Sequence, residues 1–399
     1  MIGVCRTNYI KKMFFLVIIL PVIGIIDFRR DFLGFPDLSW ISRSLDCFYL
    51  VNTCALFFYV FYRSFQRKFF LSKIAILIIF LYVYIFFRSF LVDHDLDRPV
   101  VNVLIMIPIL ELSIRTERDF SSFTDVLNFF SFVNFVSILA LYSSKGLKYW
   151  SDITEQYWVC NYFLGYDNGF IILILPLLCF NLILYNSSRK KRYLLYITIC
   201  ILTEVLVFSA SSLIAIVIFF ILYFWGKHSY IKRIIYNPLI NIVWCFVVFY
   251  ILVMCRFLDW INNIAFLFFH KSLSAARSGL WEAGLDRIRQ KLMFGYGFGR
   301  VELKGGYNAP HQMILEWLLQ GGIIELGLYV IILFLVFSNL NSKLQFRNVL
   351  IIFNGIISFL VAYIAESYST YPYYWVFLSL FIFANKKFIL ENKISICRM

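Results

Sequence analysis

Apolar runs of membrane-spanning length recur along this chain from near residue 13 to near residue 385, and they constrain its fold more than any motif does. A helix that crosses a bilayer needs about twenty mostly apolar residues. The runs predict about twelve transmembrane helices, at 13–26, 45–62, 71–91, 99–114, 123–142, 169–185, 193–208, 211–225, 236–255, 312–337, 348–365 and 374–385. We therefore expect an all-α, polytopic integral membrane protein in which residues 1–399 form a single domain.

Composition favours a membrane protein over a soluble one. The chain is 61% hydrophobic and 20% aromatic, with a mean hydropathy of +0.79, far from the composition of soluble globular domains. Its net charge of +14 would suit nucleic acid if the basic residues formed a patch, but they punctuate apolar segments instead. We expect the lipid bilayer, and no nucleic acid, as a partner.

The distribution of basic residues predicts how the chain is oriented. If the N-terminus is cytoplasmic, most of the 37 lysines and arginines fall in cytoplasmic segments, as the positive-inside rule requires. An even number of spans then returns the C-terminus to the cytoplasm. The long polar loop at about 256–310 faces the opposite side, where its charges are tolerated because long loops follow the rule weakly.

The long loop contains a predicted helix at 275–293. Its large apolar residues recur at steps of four, three and four and so share one stripe: Trp281, Leu285, Ile288 and Leu292. An amphipathic helix with a basic opposite face is expected to lie on the bilayer surface. Arg277 precedes Trp281 by one turn, and its paired guanidinium donors could bind the diphosphate of a lipid carrier there. An interfacial helix with no binding role is the simpler interpretation.

Two further features follow that helix. Gly295-Tyr296-Gly297-Phe298-Gly299 follows no strand and lacks the Lys-Ser/Thr ending of a phosphate-binding loop. It therefore predicts a structural turn beside the site. Pro310-His311 opens the next span, because proline suits the first helical turn. An imidazole at that position could accept a proton; a surface histidine with no role is the alternative.

Other residues keep different functions open. Ionisable residues within apolar runs are expensive in lipid and usually face a cavity or a partner; they are Arg88, Glu111, Glu204, Glu316, Glu325 and Glu366. A proton-coupled transporter would use such groups, although no pair of interrupted helices indicates inverted repeats. Asp93 and Asp95 could ligate a divalent cation or lie in an ordinary solvated loop. The aromatic residues of the loop at about 143–168 indicate an interfacial belt or a platform for sugar rings.

A set of motifs between residues 277 and 324 occurs in a recognisable order. It comprises Arg277, Trp281, Ile288, the run Phe294-Gly295-Tyr296-Gly297-Phe298-Gly299, Pro310-His311-Gln312, Leu315 and Gly321-Gly322-Ile323-Ile324. This order resembles the superfamily of O-antigen polymerases and O-antigen ligases, which act on bacterial lipid-linked polysaccharides. Those proteins span the inner membrane many times and have one long periplasmic loop late in the chain. The resemblance implies a multi-pass protein of the bacterial inner (cytoplasmic) membrane, with its site in the periplasm.

The resemblance also implies residue roles. Arg277 would engage the undecaprenyl diphosphate of the donor and His311 would serve the acceptor hydroxyl, so both are predicted catalytic residues. Gln312 stands where the family usually has asparagine and is a predicted substrate-binding residue. The turn at Ser209-Ala210-Ser211 lacks the arginine that many members carry after a serine there. A second phosphate-binding cation must then come from elsewhere, and the candidates are Arg287, Arg289 and Arg300.

The expected function is that of a metal-independent glycosyltransferase of the O-antigen polymerase type, with no cofactor. It would transfer the growing glycan from undecaprenyl diphosphate to the next lipid-linked repeat unit in lipopolysaccharide biosynthesis, with a chain-length regulator and a flippase as partners. An O-antigen ligase, which transfers the glycan to lipid A–core, shares the donor chemistry and remains open. A polysaccharide-lipid flippase or transporter would depend on Glu204 or Glu316 instead, and a metal-dependent glycosyltransferase on Asp93 and Asp95.

Overall fold

Helices dominate the fold of this chain. A computed structural model describes residues 2–23, 39–65, 71–93, 97–151, 156–226, 229–254, 263, 267, 274–299, 301–303, 309–364 and 366–390. The helices are α1 (Ile2–Ile19), α2 (Ser39–Phe65), α3 (Lys73–Asp93), α4 (Arg98–Ser113), α5 (Glu117–Ala140), α6 (Ile171–Ser188), α7 (Lys191–Val207), α8 (Ala210–Trp225), α9 (Ser229–Ile235), α10 (Pro238–Phe249), α11 (Ser274–Gln290), α12 (Met313–Asn341), α13 (Arg347–Ile364) and α14 (Tyr374–Phe383). A π-helical turn, Tyr250–Met254, extends α10.

Each apolar segment predicted from the sequence overlaps a helix. Only α9 and α11 have no counterpart among the predicted spans, and α11 matches the helix predicted within the long loop. Within the described residues, five helical segments are long and apolar enough to cross a membrane: Lys73–Val92, Glu117–Ala140, Asp167–Ser188, Met313–Asn341 and Arg347–Ile364. The helical membrane fold is therefore supported, whereas the count of about twelve spans stays a prediction.

Local sequence signals explain several helix ends. Thr116 caps α5 by accepting a hydrogen bond from the Asp119 backbone N–H, and the Asp119 carboxylate accepts one from the Thr116 N–H in return; this reciprocal pair satisfies two backbone donors that a helix start leaves open. Phe208 adopts a left-handed conformation (φ 57°) and separates α7 from α8. The two segments at 193–208 and 211–225 are therefore two helices, as predicted.

The expectation of a purely helical chain is wrong for the loop at about 143–168. That loop forms a three-stranded antiparallel sheet in the order β1 (Leu147–Ser151), β2 (Gln156–Tyr162) and β3 (Gly165–Tyr166). Its aromatic residues favour strands, and glycines with positive φ lie just before β1, at position 146, and at the start of β3, at position 165. The side chains of residues 148–160 lie outside the described part of the structure, so the choice between aromatic belt and sugar platform stays open.

The helix α6 joins two ends of the molecule. Asn168, just before α6, accepts a hydrogen bond from Ser209 Oγ (3.0 Å) between α7 and α8. Ser187, near the other end of α6, contacts Glu117 at the start of α5. The 18 residues of α6 correspond to about 27 Å of helix between these two contacts. We call the end of the molecule at the Asn168–Ser209 contact the site end, and the end at the Ser187–Glu117 contact the basic end. The basic end is named for its cations, which are Lys11, Lys12, Arg118, Lys190 and Arg192.

Candidate functional site

A buried carboxylate at the site end joins the two predicted catalytic residues. Glu366 follows α13 and is 6% exposed. Its Oε1 accepts a hydrogen bond from Arg277 Nη2 at 2.7 Å, and its Oε2 lies 2.8 Å from His311 Nδ1. Two residues that are far apart in the sequence therefore contact the two oxygens of one carboxylate. We call Arg277, Glu366 and His311 the Arg–Glu–His triad.

The helix α11 holds Arg277 in place through its apolar face. Leu280, Trp281 and Ile288 are almost fully buried and pack with Leu315 and Leu319 of α12. Burial of this face against α12, rather than in lipid, fixes the helix to the protein. The expectation that the apolar stripe lies on the bilayer surface is therefore wrong for Trp281 and Ile288; Leu292, at 45% exposure, lies beyond the helix end.

The same helix also fixes the backbone beside His311. Trp281 lies one turn after Arg277 on α11. Its Nε1 donates a hydrogen bond to the Pro310 carbonyl at 2.9 Å. His311 has a φ of 51°, a left-handed conformation that costs energy for a residue with a side chain and is typical of functional positions. One helix thus positions both the guanidinium and the imidazole of the triad.

The helix α12 begins at Met313, three residues after Pro310, which the sequence predicts for the first helical turn. Gln312 is the N-cap, and its side-chain oxygen accepts a hydrogen bond from the Leu315 N–H at 2.8 Å. Pro310 and His311 therefore precede the helix and do not form its first turn. The reason is the extended backbone of Gln312 (φ −158°), which is typical of a cap residue.

The pKa of Glu366 is lowered from its ordinary value of 4.5. Burial alone would raise the pKa of this carboxyl, but the hydrogen bond from His311 and the positive charge of Arg277 outweigh the burial. Glu366 is therefore an ionised carboxylate at neutral pH. Because an ionised carboxylate can only accept hydrogen bonds, Nδ1 carries the proton in its contact with His311.

The glycine run forms the structural turn that its sequence predicts. Gly295, Gly297 and Gly299 all have positive φ, and the N–H groups of Tyr296 and Gly297 donate to the carbonyls of Leu319 (2.7 Å) and Gln320 (2.8 Å). These carbonyls are available because α12 is interrupted at Gly322 (φ 67°, ψ −156°). The run therefore docks the long loop onto a break in α12.

Arg88 secures this turn from the neighbouring helix α3. Its guanidinium donates to the carbonyls of Phe294 (3.0 Å) and Gly295 (2.7 Å), and Ser89 Oγ accepts from the Phe298 N–H at 2.8 Å. Arg88 is one of the ionisable residues that the sequence places in an apolar run. Its partners are backbone carbonyls, which makes it a structural cation.

A second polar layer lies under the triad. Tyr363, one turn before Glu366, donates a hydrogen bond to Glu316 Oε2 at 2.6 Å, and Gln320 Nε2 donates to Ser369 Oγ at 3.2 Å. Glu316 and Gln320 also line a cavity of about 10 Å³ beside the glycine run, room for about one water molecule.

The other predicted substrate-binding residues do not join the triad. Arg287 and Arg289 are exposed on α11, about 15 to 18 Å along the helix from Arg277, and Arg289 pairs with Asp286 at 3.0 Å. Gln312 is fully buried and serves as a helix cap. Arg300 lies outside the described residues, and so does Asp95 of the acidic pair.

Sequence reasoning did not assign Glu366 to the site. The residue was visible as an acidic side chain at the end of an apolar run, where a carboxylate needs a partner. What the sequence lacks is the pairing itself, since residues 277 and 366 lie on separate segments. The sequence therefore identifies Arg277 and His311 but not Glu366, the carboxylate that contacts both.

No family model matches the chain, and no curated protein matches its sequence. The function must be argued from the triad, the fold and the motif order.

Proposed function

We propose that this protein is an O-antigen polymerase, a glycosyltransferase that moves a growing glycan from undecaprenyl diphosphate to the next lipid-linked repeat unit. The observation that carries the proposal is the convergence of Arg277 and His311 on Glu366, at 2.7 and 2.8 Å. The motif order selected the arginine and the histidine as the two catalytic residues. Their approach to one buried carboxylate gives that pair a common site.

The imidazole acts on the acceptor. Because Nδ1 donates to Glu366, the lone pair of a neutral His311 lies on Nε2, which takes the proton of the acceptor hydroxyl. The carboxylate fixes the tautomer and stabilises the imidazolium that forms, as the carboxylate of a hydrolase triad does. The hydroxyl oxygen then bonds to the anomeric carbon of the donor sugar.

The guanidinium acts on the leaving group. As the bond between the anomeric carbon and the diphosphate oxygen breaks, the electron pair and the negative charge pass to undecaprenyl diphosphate. A guanidinium presents five N–H donors, so an ion pair with Glu366 is compatible with further contacts from Arg277 to phosphate oxygens. The donor is already activated, so charge neutralisation and positioning supply the catalysis, and the proposed enzyme is metal-independent.

The proposal includes an orientation. With both termini in the cytoplasm, the triad faces the periplasm beside the outer leaflet of the inner membrane, where the lipid-linked donor is expected. The site end and the basic end lie at opposite ends of α6, which agrees with a positive-inside arrangement.

Deletion of the gene tests the proposal through the lipopolysaccharide pattern on a gel. A polymerase predicts lipid A–core carrying a single repeat unit. Bare core, with polymer still attached to the undecaprenyl carrier, would instead identify an O-antigen ligase. A normal ladder of chain lengths would contradict both.

A flippase or transporter is the second candidate, and two features favour it. The helix α12 is broken at Gly322, and interrupted helices are common at transporter sites. Glu204 and Glu325 are fully buried, and among the described residues no hydrogen bond of normal geometry reaches either carboxylate. A Glu204→Gln variant that halts glycan export, beside a Glu366→Gln variant that does not, would favour transport over transfer.

A further inference from the structure

The basic end contains a polar cleft that the transfer chemistry does not use. It has a volume of about 610 Å³ and lies between α1, α5, α6 and α7. Four cations line it against two carboxylates: Lys12, Arg118, Lys190 and Arg192, with Glu117 and Asp125. The cleft therefore attracts anions, and it lies at the opposite end of α6 from the site end, along about 27 Å of helix.

Two of the four cations are held in fixed positions. Asp125 Oδ2 lies 2.6 Å from Lys12 Nζ and 3.4 Å from Arg192 Nη2. Arg192 Nη2 also donates to Tyr193 Oη at 2.6 Å, and the guanidinium lies over the Tyr193 ring at 4.7 Å. These contacts preorganise the wall of the cleft, so an anion need not order it on binding.

The other two cations carry the surplus charge. Arg118 and Lys190 are exposed at the cleft, and within the described part of the chain neither side chain makes an ion pair or a hydrogen bond. Four cations against two carboxylates leave the lining of the cleft with a surplus of two positive charges. An anionic ligand would gain from both without breaking an existing contact.

An apolar groove continues from the cleft. It has a volume of about 260 Å³ and is lined by Met13, Leu16, Val126, Phe129 and Tyr196. It shares Lys12, Asp125 and Arg192 with the cleft, so the two spaces meet at the fixed ion pairs. Phe129 is 53% exposed and Met13 43%, which leaves an apolar surface of the kind an acyl chain covers.

We propose that this paired cleft and groove bind one anionic phospholipid, with its phosphodiester headgroup among the cations and an acyl chain along the groove. Basic pockets between transmembrane helices on the cytoplasmic side are suited to anionic headgroups. A solvated basic cluster would account for the cations but not for an apolar groove that opens from them. A free phosphate ion would leave the groove empty, and a zwitterionic headgroup would leave the surplus charge uncompensated.

Binding measurements on the purified full chain in neutral detergent test the proposal. The ligands are phosphatidylglycerol, phosphatidylcholine and inorganic phosphate, and the readouts are bound lipid by native mass spectrometry and the dissociation constant. We expect phosphatidylglycerol to bind and the other two to bind at least tenfold more weakly. Equal binding of phosphatidylcholine, or equal binding of inorganic phosphate, would overturn the proposal.

Two variants and a control locate the site. Arg118→Gln/Lys190→Gln should weaken phosphatidylglycerol binding roughly thirtyfold, with an unchanged thermal midpoint in lipid-free detergent. Met13→Trp should weaken phosphatidylglycerol binding by filling the groove while leaving every cation in place. Arg43→Gln/Lys145→Gln removes the same charge from exposed positions outside both spaces and should leave binding unchanged. Wild-type affinity in the Arg118/Lys190 variant, or an equal loss in the control, would refute the assignment.

Discussion

At the scale of single residues, Glu366 is the side chain on which the account depends. Its carboxylate contacts Arg277 at 2.7 Å and His311 at 2.8 Å, so its loss should change the orientation of both side chains. Without this carboxylate the half-buried arginine and histidine would lose their orientation and leave donors unpaired. In the proposed mechanism the carboxylate therefore has a positioning role, while the imidazole and the guanidinium touch the substrates.

The histidine prediction concerns the rate of glycan transfer. His311→Ala should lower repeat-unit addition roughly 10²- to 10⁴-fold, because it removes the proposed general base. The measurement is the incorporation of labelled repeat unit by membranes that contain equal amounts of the two proteins. A variant that expresses normally and transfers at the wild-type rate would remove His311 from the mechanism while leaving the fold untouched.

The pH prediction follows from the lowered pKa of Glu366. A carboxyl group whose folded pKa lies below its unfolded value stabilises the fold fully above the unfolded pKa, and this stabilisation is lost as the pH falls through the folded pKa. The difference in thermal midpoint between wild type and Glu366→Gln should therefore persist down to the ordinary carboxyl pKa of 4.5 and close only below it. A difference that vanishes between pH 7 and pH 5 would be inconsistent with an ion-paired carboxylate.

At the scale of the elements, the break in α12 and the glycine run depend on each other. A Cβ at Gly322 would meet the Met293 carbonyl oxygen at 2.3 Å, and one at Gly295 would meet the Gln320 carbonyl oxygen at 2.5 Å. Both glycines also have positive φ, where a side chain is strained. At Gly295 and Gly322 the glycine run and α12 approach each other too closely for any residue with a side chain.

Glycine substitutions test this fit. Gly322→Ala should destabilise the protein by about 1–3 kcal/mol and should lower the thermal midpoint of the purified protein. Gly327→Ala is the matched control on the same helix, since a Cβ there meets nothing within 4 Å; it should be neutral or stabilising by up to about 1 kcal/mol. Equal midpoints for the two variants would mean that the break is not required.

The tryptophan of α11 offers a milder test of positioning. Trp281→Phe keeps most of the apolar burial and removes the hydrogen bond to the Pro310 carbonyl, worth about 1 kcal/mol. We expect kcat for glycan transfer to fall roughly fivefold with KM unchanged, because His311, the proposed base, loses its orientation. An altered KM alone would show that Trp281 contacts substrate instead.

These elements also show what the sequence can and cannot predict. Apolar runs predicted where the helices lie, because the composition of a membrane helix is a local property. The helix ends were less accurate: α1 begins at Ile2 and α2 at Ser39, eleven and six residues before the predicted spans. The helix at 275–293 and the glycine turn were readable for the same reason. The docking of α11 on α12, the break at Gly322 and the triad arise from contacts between distant segments, and no local pattern records them. The small sheet was missed because its strands are short and irregular.

At the scale of the whole molecule, the proposed orientation places the site end at the periplasm and the basic end at the cytoplasm. Single cysteines placed at Glu302 near the site end and at Arg118 at the basic end, both exposed, should differ in labelling by a membrane-impermeant thiol reagent in intact spheroplasts. Only the cysteine at position 302 should react, in a background whose native cysteines are replaced. Labelling at position 118 alone would invert the topology and place the triad in the cytoplasm.

In the proposed mechanism one buried carboxylate organises a periplasmic glycan transfer site, and the lipopolysaccharide of a complemented deletion strain shows whether transfer depends on that carboxylate. Glu366→Gln is nearly isosteric, and Glu302→Gln is the matched control because Glu302 is exposed. With equal amounts of each protein in the membrane, we predict core plus a single repeat unit for Glu366→Gln and a full ladder for Glu302→Gln. A full ladder from Glu366→Gln would contradict the account.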